Sequence, residues 1–520
     1  MVSSALSLVT VVLFLPMVGM TILVFMNGNT QKRAIKWTTF GFTIATFIAS
    51  LLLWFTFDQS DPGYQFVQRN DWLTQYGISY YVGVDGLSLL LVLLTTFIMP
   101  LAVLASFNSH AIEERGREKL YYMFMLLLEW AMIGVFITLD LVIFYIFWEV
   151  TLVPMYFLIG IWGGEKRVYA AVKFFLYTMA GSVLMLLGML FVGFQAGTFA
   201  LPEIQAAVQA GTLSFPFDTL FSTQSLLFLA FFVAFAIKVP VWPFHSWLPD
   251  AHVQAPTAGS VILAGVLLKM GSYGIMRFNL GLFPDASVGW APIIAILGVI
   301  GIIYGGWVSY AQTDMKKLVA YSSVSHMGFI ILGTFALNAQ GIQGAAIQMV
   351  NHGISTGGLF LLVGMLYERR HTKEMAAYGG VWKVLPFFGA ISLIIVLSSM
   401  GLPALNGFVG EFTILMGTLG SVITGIIFAL FATSGVILAA IYMLSFYQRI
   451  FMGETKADNH DLHPLHWNEV AVLVPIVIMT IWIGLQPQVF FNLMNAATNQ
   501  IVVNVTPYIQ QVASVANSLP

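Results

Sequence analysis

Apolar runs recur along this chain at the length that carries a helix through a bilayer. Crossing about 30 Å of hydrocarbon takes roughly 20 residues. About fourteen segments meet that requirement: 4–26, 35–57, 86–107, 120–138, 141–161, 171–196, 224–246, 257–279, 289–310, 316–336, 342–366, 384–417, 422–450 and 468–492. The pattern predicts an all-α polytopic membrane protein. No long polar or low-complexity stretch divides it, so residues 1–520 read as a single membrane domain. The first run, about Ser4 to Phe25, lacks a basic n-region and is longer than a signal-peptide core. Lys32, Arg33 and Lys36 follow it, which marks a retained spanning helix.

Two of the expected spans are broken. One reads Lys238, Val239, Pro240, Val241, Trp242, Pro243; the other reads Gly401, Leu402, Pro403, Ala404, Leu405, Asn406, Gly407. Proline removes a backbone donor and clashes with the preceding turn, which frees carbonyls next to Lys238 and shortly before Glu411. Such backbone is tolerated at membrane depth only where protein or a wet cavity satisfies it. A single kink commonly serves packing; two kinks beside charged residues favour a hydrated path. The fourth to eighth spans, within 120–279, and the ninth to thirteenth, within 289–452, are five-helix units of similar length. Because five is odd, the second repeat is expected to sit inverted relative to the first, a recurrent transporter design. Residues 453–520 hold a loop, the last helix and a tail.

Composition agrees with this pattern. The chain is 59% hydrophobic and 8% charged, against roughly 25% charged in an ordinary soluble domain. A formal net charge of -2 gives no reason to expect nucleic acid or an acidic substrate. Cysteine is absent, which removes disulfides, iron–sulfur clusters, thiolate zinc sites and cysteine nucleophiles. Neither a phosphate-binding glycine loop nor a dinucleotide fingerprint occurs. Short cytoplasmic loops concentrate Lys and Arg. Of the 21 such residues, seventeen fall in the loops after spans 1, 3, 5, 9, 11 and 13. Only Arg69 and Arg277 fall on the other side, while Lys238 and Lys269 lie inside spans. Both termini are therefore expected on the non-cytoplasmic side.

Counting about 1.5 Å per residue from the span ends brings Glu129, Glu149, Lys238, Lys269, His326, His352 and Glu411 to one depth near the midplane. A lone membrane histidine is commonly just a hydrogen bond between helices. Seven ionisable groups, at about 2.5–3.5 kcal/mol for each centrally placed Lys or Asp, are poorly explained by packing. They suit proton transfer. A lysine beside a carboxylate keeps its proton and releases it when the carboxylate is moved or neutralised and desolvation remains; histidines relay between such states. His460, His463 and His466 have metal-like spacing, yet their polar loop with Asp458 and Asp461 favours a solvated segment. His245 and His252, flanking Trp247, Pro249 and Asp250, fit a structural cap and a proton-uptake mouth equally well.

At these residues the chain resembles the antiporter-like subunits of respiratory complex I. The resemblance runs from Leu128 and Glu129 through Asp140 and Leu141 to Phe147, Trp148, Glu149 and Pro154. It is most specific from Phe235 to Tyr273, with Lys238, Pro240, Pro243, Phe244, His245, Trp247, Leu248, Pro249, Ala251, His252, Pro256 and Lys269. It continues through Tyr321, Ser322, Ser323, Ser325, His326, Met327, Gly328 and Asn351, His352, Gly353, covering essentially the whole chain. Gly407, Phe408, Val409, Gly410, Glu411 resembles the chain-4 branch. Sister subunits and the multisubunit sodium/proton antiporters typically carry lysine at the position of Glu411.

The resemblance implies a proton-translocating subunit of an NADH:quinone oxidoreductase, working in a bacterial-type inner membrane beside other membrane subunits. A redox-active peripheral arm would drive it indirectly. It further implies that Glu149 modulates Lys238, that Lys269, His326 and His352 form a connecting relay, and that Glu411 ends it near the outer exit. No flavin, cluster or quinone is expected in this chain. A subunit of a multisubunit cation/proton antiporter is the alternative, and Glu411 counts against it. The tail after 492 is longer than the family pattern leads one to expect.

Overall fold

A computed structural model describes residues 7–518; positions 4–6 of the first expected span and the last two residues of the tail lie outside them. Among the described residues, twelve helices are long and apolar enough to cross a membrane. They are Leu8–Phe25, Lys32–Thr56, Gly86–Asn108, Glu118–Ile137, Leu141–Trp162, Arg167–Ala196, Thr257–Leu282, Pro284–Tyr310, Met315–Phe335, Ala339–Arg370, Gly425–Phe451 and Trp467–Leu485. The segments expected at 224–246 and 384–417 are helix pairs. Thr223–Lys238 is followed by Trp247–Gln254, and Pro386–Ser399 by Asn406–Leu419. Each pair is interrupted where the sequence carries its prolines, since a ring without an N–H cannot continue the hydrogen-bond ladder.

The helices bearing Lys269, His326 and His352 are the most enclosed. The apolar windows of Thr257–Leu282 and Ala339–Arg370 are 100% buried, against 33% for Gly425–Phe451 at the periphery. Small residues make that density attainable. A Cβ on Gly328 would fall 2.6 Å from the Gly298 carbonyl oxygen, and one on Gly353 would fall 2.8 Å from that of Gly265. Backbones therefore touch directly beside His326 and His352. Thr257–Leu282 is not a uniform α-helix: Leu263–Leu267 and Ile275–Asn279 widen into π-helical turns, with Lys269 between them. Such turns are uncommon and cluster at functional positions.

The spans are helical, as expected; between two of them Gln65–Leu73 and Ile78–Val84 form an antiparallel hairpin that the sequence pattern did not announce. Ser79 N–H, in its second strand, donates to the Asp140 carboxylate at 3.0 Å. A short half-polar strand in a loop gives little signal beside twenty-residue apolar runs. The last expected span, 468–492, stops early, at Leu485, and a separate helix runs from Gln488 to Ser518. Pro487 disfavours helical backbone at Gln486, which sits at φ -131°, ψ 57°. The second helix buries Phe490, Leu493, Met494, Ala497, Ile501 and Val505, a stripe at helical spacing. It packs so closely that a Cβ on Gly86 would fall 1.9 Å from the Leu493 carbonyl oxygen.

Most lysine-rich loops meet at one end of the bundle. Lys32 pairs with Glu118 at 3.0 Å, Lys119 donates to the Met26 carbonyl at 2.9 Å, and Arg369 pairs with Glu469 at 2.6 Å. Lys373 reaches the Val253 carbonyl at 2.7 Å. The opposite end carries the hairpin, the exposed Arg69–Glu203 pair and a buried pair between Arg277 and Asp85 at 2.6 Å.

Candidate proton-relay site

Four of the seven candidates join into one chain of contacts. Lys269, fully buried, places Nζ 2.6 Å from Nδ1 of His352 on the neighbouring Ala339–Arg370 helix. The same ammonium donates to the carbonyl of Ala264, inside the first π-turn. The His352 ring centroid lies 5.8 Å from that of His326, on Met315–Phe335. His326 Nδ1 is 2.8 Å from Oε1 of Glu411. Gln348 Nε2 donates to that same oxygen at 3.3 Å, and His326 Nε2 lies 3.3 Å from the Tyr442 hydroxyl. All four relay residues are at most 5% exposed.

Between His352 and Glu411 lies a small cavity lined in part by Gln348, Asn351, Ser355 and Ser398. Its water-accessible volume is about 10 Å³, near the room that one water requires. His352 Nε2 has no protein partner. The break after Ser399 is stitched by polar side chains. Ser355 Oγ lies 2.7 Å from Ser398 Oγ and 3.2 Å from Asn406 Oδ1, and Asn406 Nδ2 donates to the Asn351 carbonyl at 3.3 Å.

Lys238 and Glu149 do not form an ion pair among the described residues. Lys238 Nζ instead donates to Thr151 Oγ1 at 3.3 Å and lies 5.1 Å from the centre of the Trp148 ring, a cation–π contact. Trp148 and Glu149 are adjacent in a helix, so they point in different directions. Glu149 is half-buried, with Oε1 unpartnered. Glu129 is fully buried with neither oxygen bonded, and it stands apart from the four-residue chain. The carbonyls before Pro240 have donors within the protein. Ala236 O accepts from Val241 N–H at 2.7 Å and Ile237 O accepts from the Trp247 indole at 2.8 Å, so protein donors satisfy them.

His252 is buried against the Phe360 ring, with both nitrogens unbonded. His245 is largely buried and packs edge-on to Tyr304. His463 and His466 share a polar hollow with His110 and His371. Among the described residues, no three His, Cys, Asp or Glu side chains converge as a metal ion would need. Sequence reading missed Gln348, Asn351, Ser355 and Tyr442. Three of these carry a legible signal: with His352 they lie at i, i+3, i+4 and i+7 along an otherwise apolar helix, one polar stripe. Tyr442 carries none, since an amphipathic ring suits any helix.

Residues 138–438 match the family model described as "NADH:quinone oxidoreductase/Mrp antiporter, TM", and residues 11–135 match "NADH-ubiquinone oxidoreductase chain 4, amino terminus". The chain is 45% identical over 511 residues to NADH-quinone oxidoreductase subunit M of Rhodobacter capsulatus, covering 96% of this chain and 97% of that one. It is 40% identical to NADH-ubiquinone oxidoreductase chain 4 of Marchantia polymorpha, covering 94% and 96%. A chain of respiratory complex I from Thermus thermophilus superposes with a TM-score of 0.84 at 29% identity, covering 96% of this chain and 99% of that one. A chain of the Mrp complex from Dietzia sp. DQ12-45-1b superposes at 0.82 with 21% identity, over 96% and 99%, and shares the fold. Full-length likeness at this level has one consequence: the chain belongs to the subunit M, or chain 4, family of NADH:quinone oxidoreductase, the antiporter-like proton-translocating membrane subunits of bacterial-type respiratory complex I.

Proposed function

We propose that protons cross this subunit along Lys238, Lys269, His352, His326 and Glu411, with Glu149 controlling Lys238 and Glu129 as an accessory site. The observation that carries the reading is the pair of close contacts, Lys269 Nζ to His352 and His326 to Glu411 Oε1, joined by two imidazoles whose centres lie 5.8 Å apart. The two end steps each join a proton donor to a group able to accept, inside a core where an unused charge would be costly. Lys238 stands outside that run, so its step, like the one between the two histidines, needs water or a side-chain movement. Glu149 acts on it through the field across Trp148 and Thr151. A carboxylate that is not clamped to the ammonium can change the lysine's charge state by a modest shift.

In this reading each broken helix pair crosses once, giving fourteen crossings. The two five-helix repeats are inverted, and each carries its break in its fourth member. Joined lysine-rich loops support a cytoplasmic face there and termini on the other side. The chain holds no redox group of its own and moves protons when NADH oxidation and quinone reduction elsewhere in the complex shift its partners. A multisubunit cation/proton antiporter is the second reading. The shared fold with the Mrp complex favours it, and Glu411 counts against it. Co-purification with flavin-containing, quinone-reducing subunits separates the two.

Glu411→Gln tests the route, since it removes the ionisable group with little change of volume. In proteoliposomes holding the whole complex, protons pumped per NADH should fall to near zero while complex content is unchanged. Full pumping would make Glu411 a packing group.

A further inference from the structure

Tyr442 lies on Gly425–Phe451, outside the row of charges, and its ring is fully buried. Its hydroxyl has one hydrogen-bond partner among the described residues, Nε2 of His326 at 3.3 Å. The other nitrogen of that ring, Nδ1, faces the Glu411 carboxylate at 2.8 Å. Both nitrogens of the last histidine are therefore occupied. A phenol can donate or accept, but an O–H that only accepts leaves its own hydrogen buried and unbonded. With one partner on offer, the hydroxyl is best satisfied by donating to Nε2. That requires an unprotonated Nε2, so the ring's proton sits on Nδ1 and points at Glu411.

We propose that Tyr442 is a positioning residue that latches His326 in this tautomer. A proton coming from His352 can enter His326 only at Nε2, because Nδ1 already carries one. Entry breaks the Tyr442 O–H···Nε2 bond and forms N–H at Nε2. The N–H at Nδ1 then breaks as Glu411 Oε1 gains that proton, and the imidazole is neutral again with its hydrogen on Nε2. Reverse flow meets a Nδ1 that must first lose its hydrogen. Restoring the latched tautomer takes two further proton transfers, one off Nε2 and one onto Nδ1, after which the phenol again donates to Nε2. The inference rests on the relay reading above.

The test uses the whole complex in proteoliposomes, with Tyr442→Phe and with 3,5-difluorotyrosine incorporated at position 442. Phe keeps the ring and removes the hydroxyl. Complex content should stay at the wild-type level, and protons pumped per NADH should fall about fivefold, the weight of one hydrogen bond. Difluorotyrosine keeps the shape and makes the phenol more acidic. The pH profile of pumping should move by about half a pH unit or more, which a packing role would not produce. An unmoved profile overturns the latch, as does wild-type pumping in the Phe variant. Glu411→Gln run alongside separates the failures: if it abolishes pumping while both Tyr442 variants behave as wild type, only the latch falls. If all three variants pump normally, the relay falls too.

Discussion

Arg277 and Asp85 form a buried ion pair at the end of the bundle opposite the lysine-rich loops, and breaking it should loosen the helix that carries Lys269. Arg277 Nη2 lies 2.6 Å from Asp85 Oδ2, with the two side chains 7% and 4% exposed. Arg277 Nη1 donates to the Tyr64 hydroxyl at 3.1 Å, and the guanidinium lies 5.2 Å from the Tyr273 ring centre. Asp85 also caps the Gly86 helix, accepting from Ser88 N–H at 2.9 Å. Arg277→Met leaves that carboxylate buried without its cation, a loss of about 3–5 kcal/mol. Asp85→Asn strands the guanidinium at similar cost while keeping a capping side chain. The double variant removes both charges and should cost only about 1–2 kcal/mol, since a buried pair is often close to neutral against apolar replacement. The two sites should therefore couple by several kcal/mol. A complex of this kind inactivates irreversibly, so the assay is the rate of thermal loss of NADH:quinone reductase activity in the purified complex. Each single variant should inactivate about a hundredfold to several thousandfold faster, taking 1.4 kcal/mol per tenfold, and the double variant only about five- to thirtyfold faster. If the double variant loses activity as fast as the product of the two single effects, the pair is not a stabilising unit and the argument fails.

Other outcomes follow from the same geometry. Glu149→Gln should remove most pumping while the complex still assembles, because shape is kept and only the charge is lost; near-normal protons per NADH in that variant would sink the assignment of Glu149. Glu411→Lys should retain part of the pumping that Glu411→Gln loses, since lysine still titrates; equal loss in both would show that charge sign matters more than the presence of a titratable group. Gly328→Ala puts a methyl 2.6 Å from the Gly298 carbonyl. It should cost about 1–3 kcal/mol of helix packing, read as a lower yield of intact complex on native gels; an unchanged yield would mean that the two helices slide apart freely.

The sequence carried the bilayer in its periodicity. Twenty-residue apolar runs have few stable alternatives in lipid, where each backbone donor must be met inside its own helix. Prolines at 240, 243 and 403 likewise marked the interruptions, because a missing N–H is a local property. The candidates Lys269, His326, His352 and Glu411 were visible one at a time, since a charge in an apolar run stands out without any partner. Their order was not visible. Which residue touches which depends on the rotation and spacing of separate helices, and those are set by contacts such as Gly328 on Gly298 and Gly353 on Gly265. Lys238 shows the limit most clearly. The resemblance implied that Glu149 modulates Lys238, while the groups that meet the ammonium directly, Trp148 and Thr151, were set by helix rotation. The hairpin, the tail helix and the Tyr442 contact were equally hidden, because they rest on half-polar or ambiguous residues whose environment only the packed helices supply.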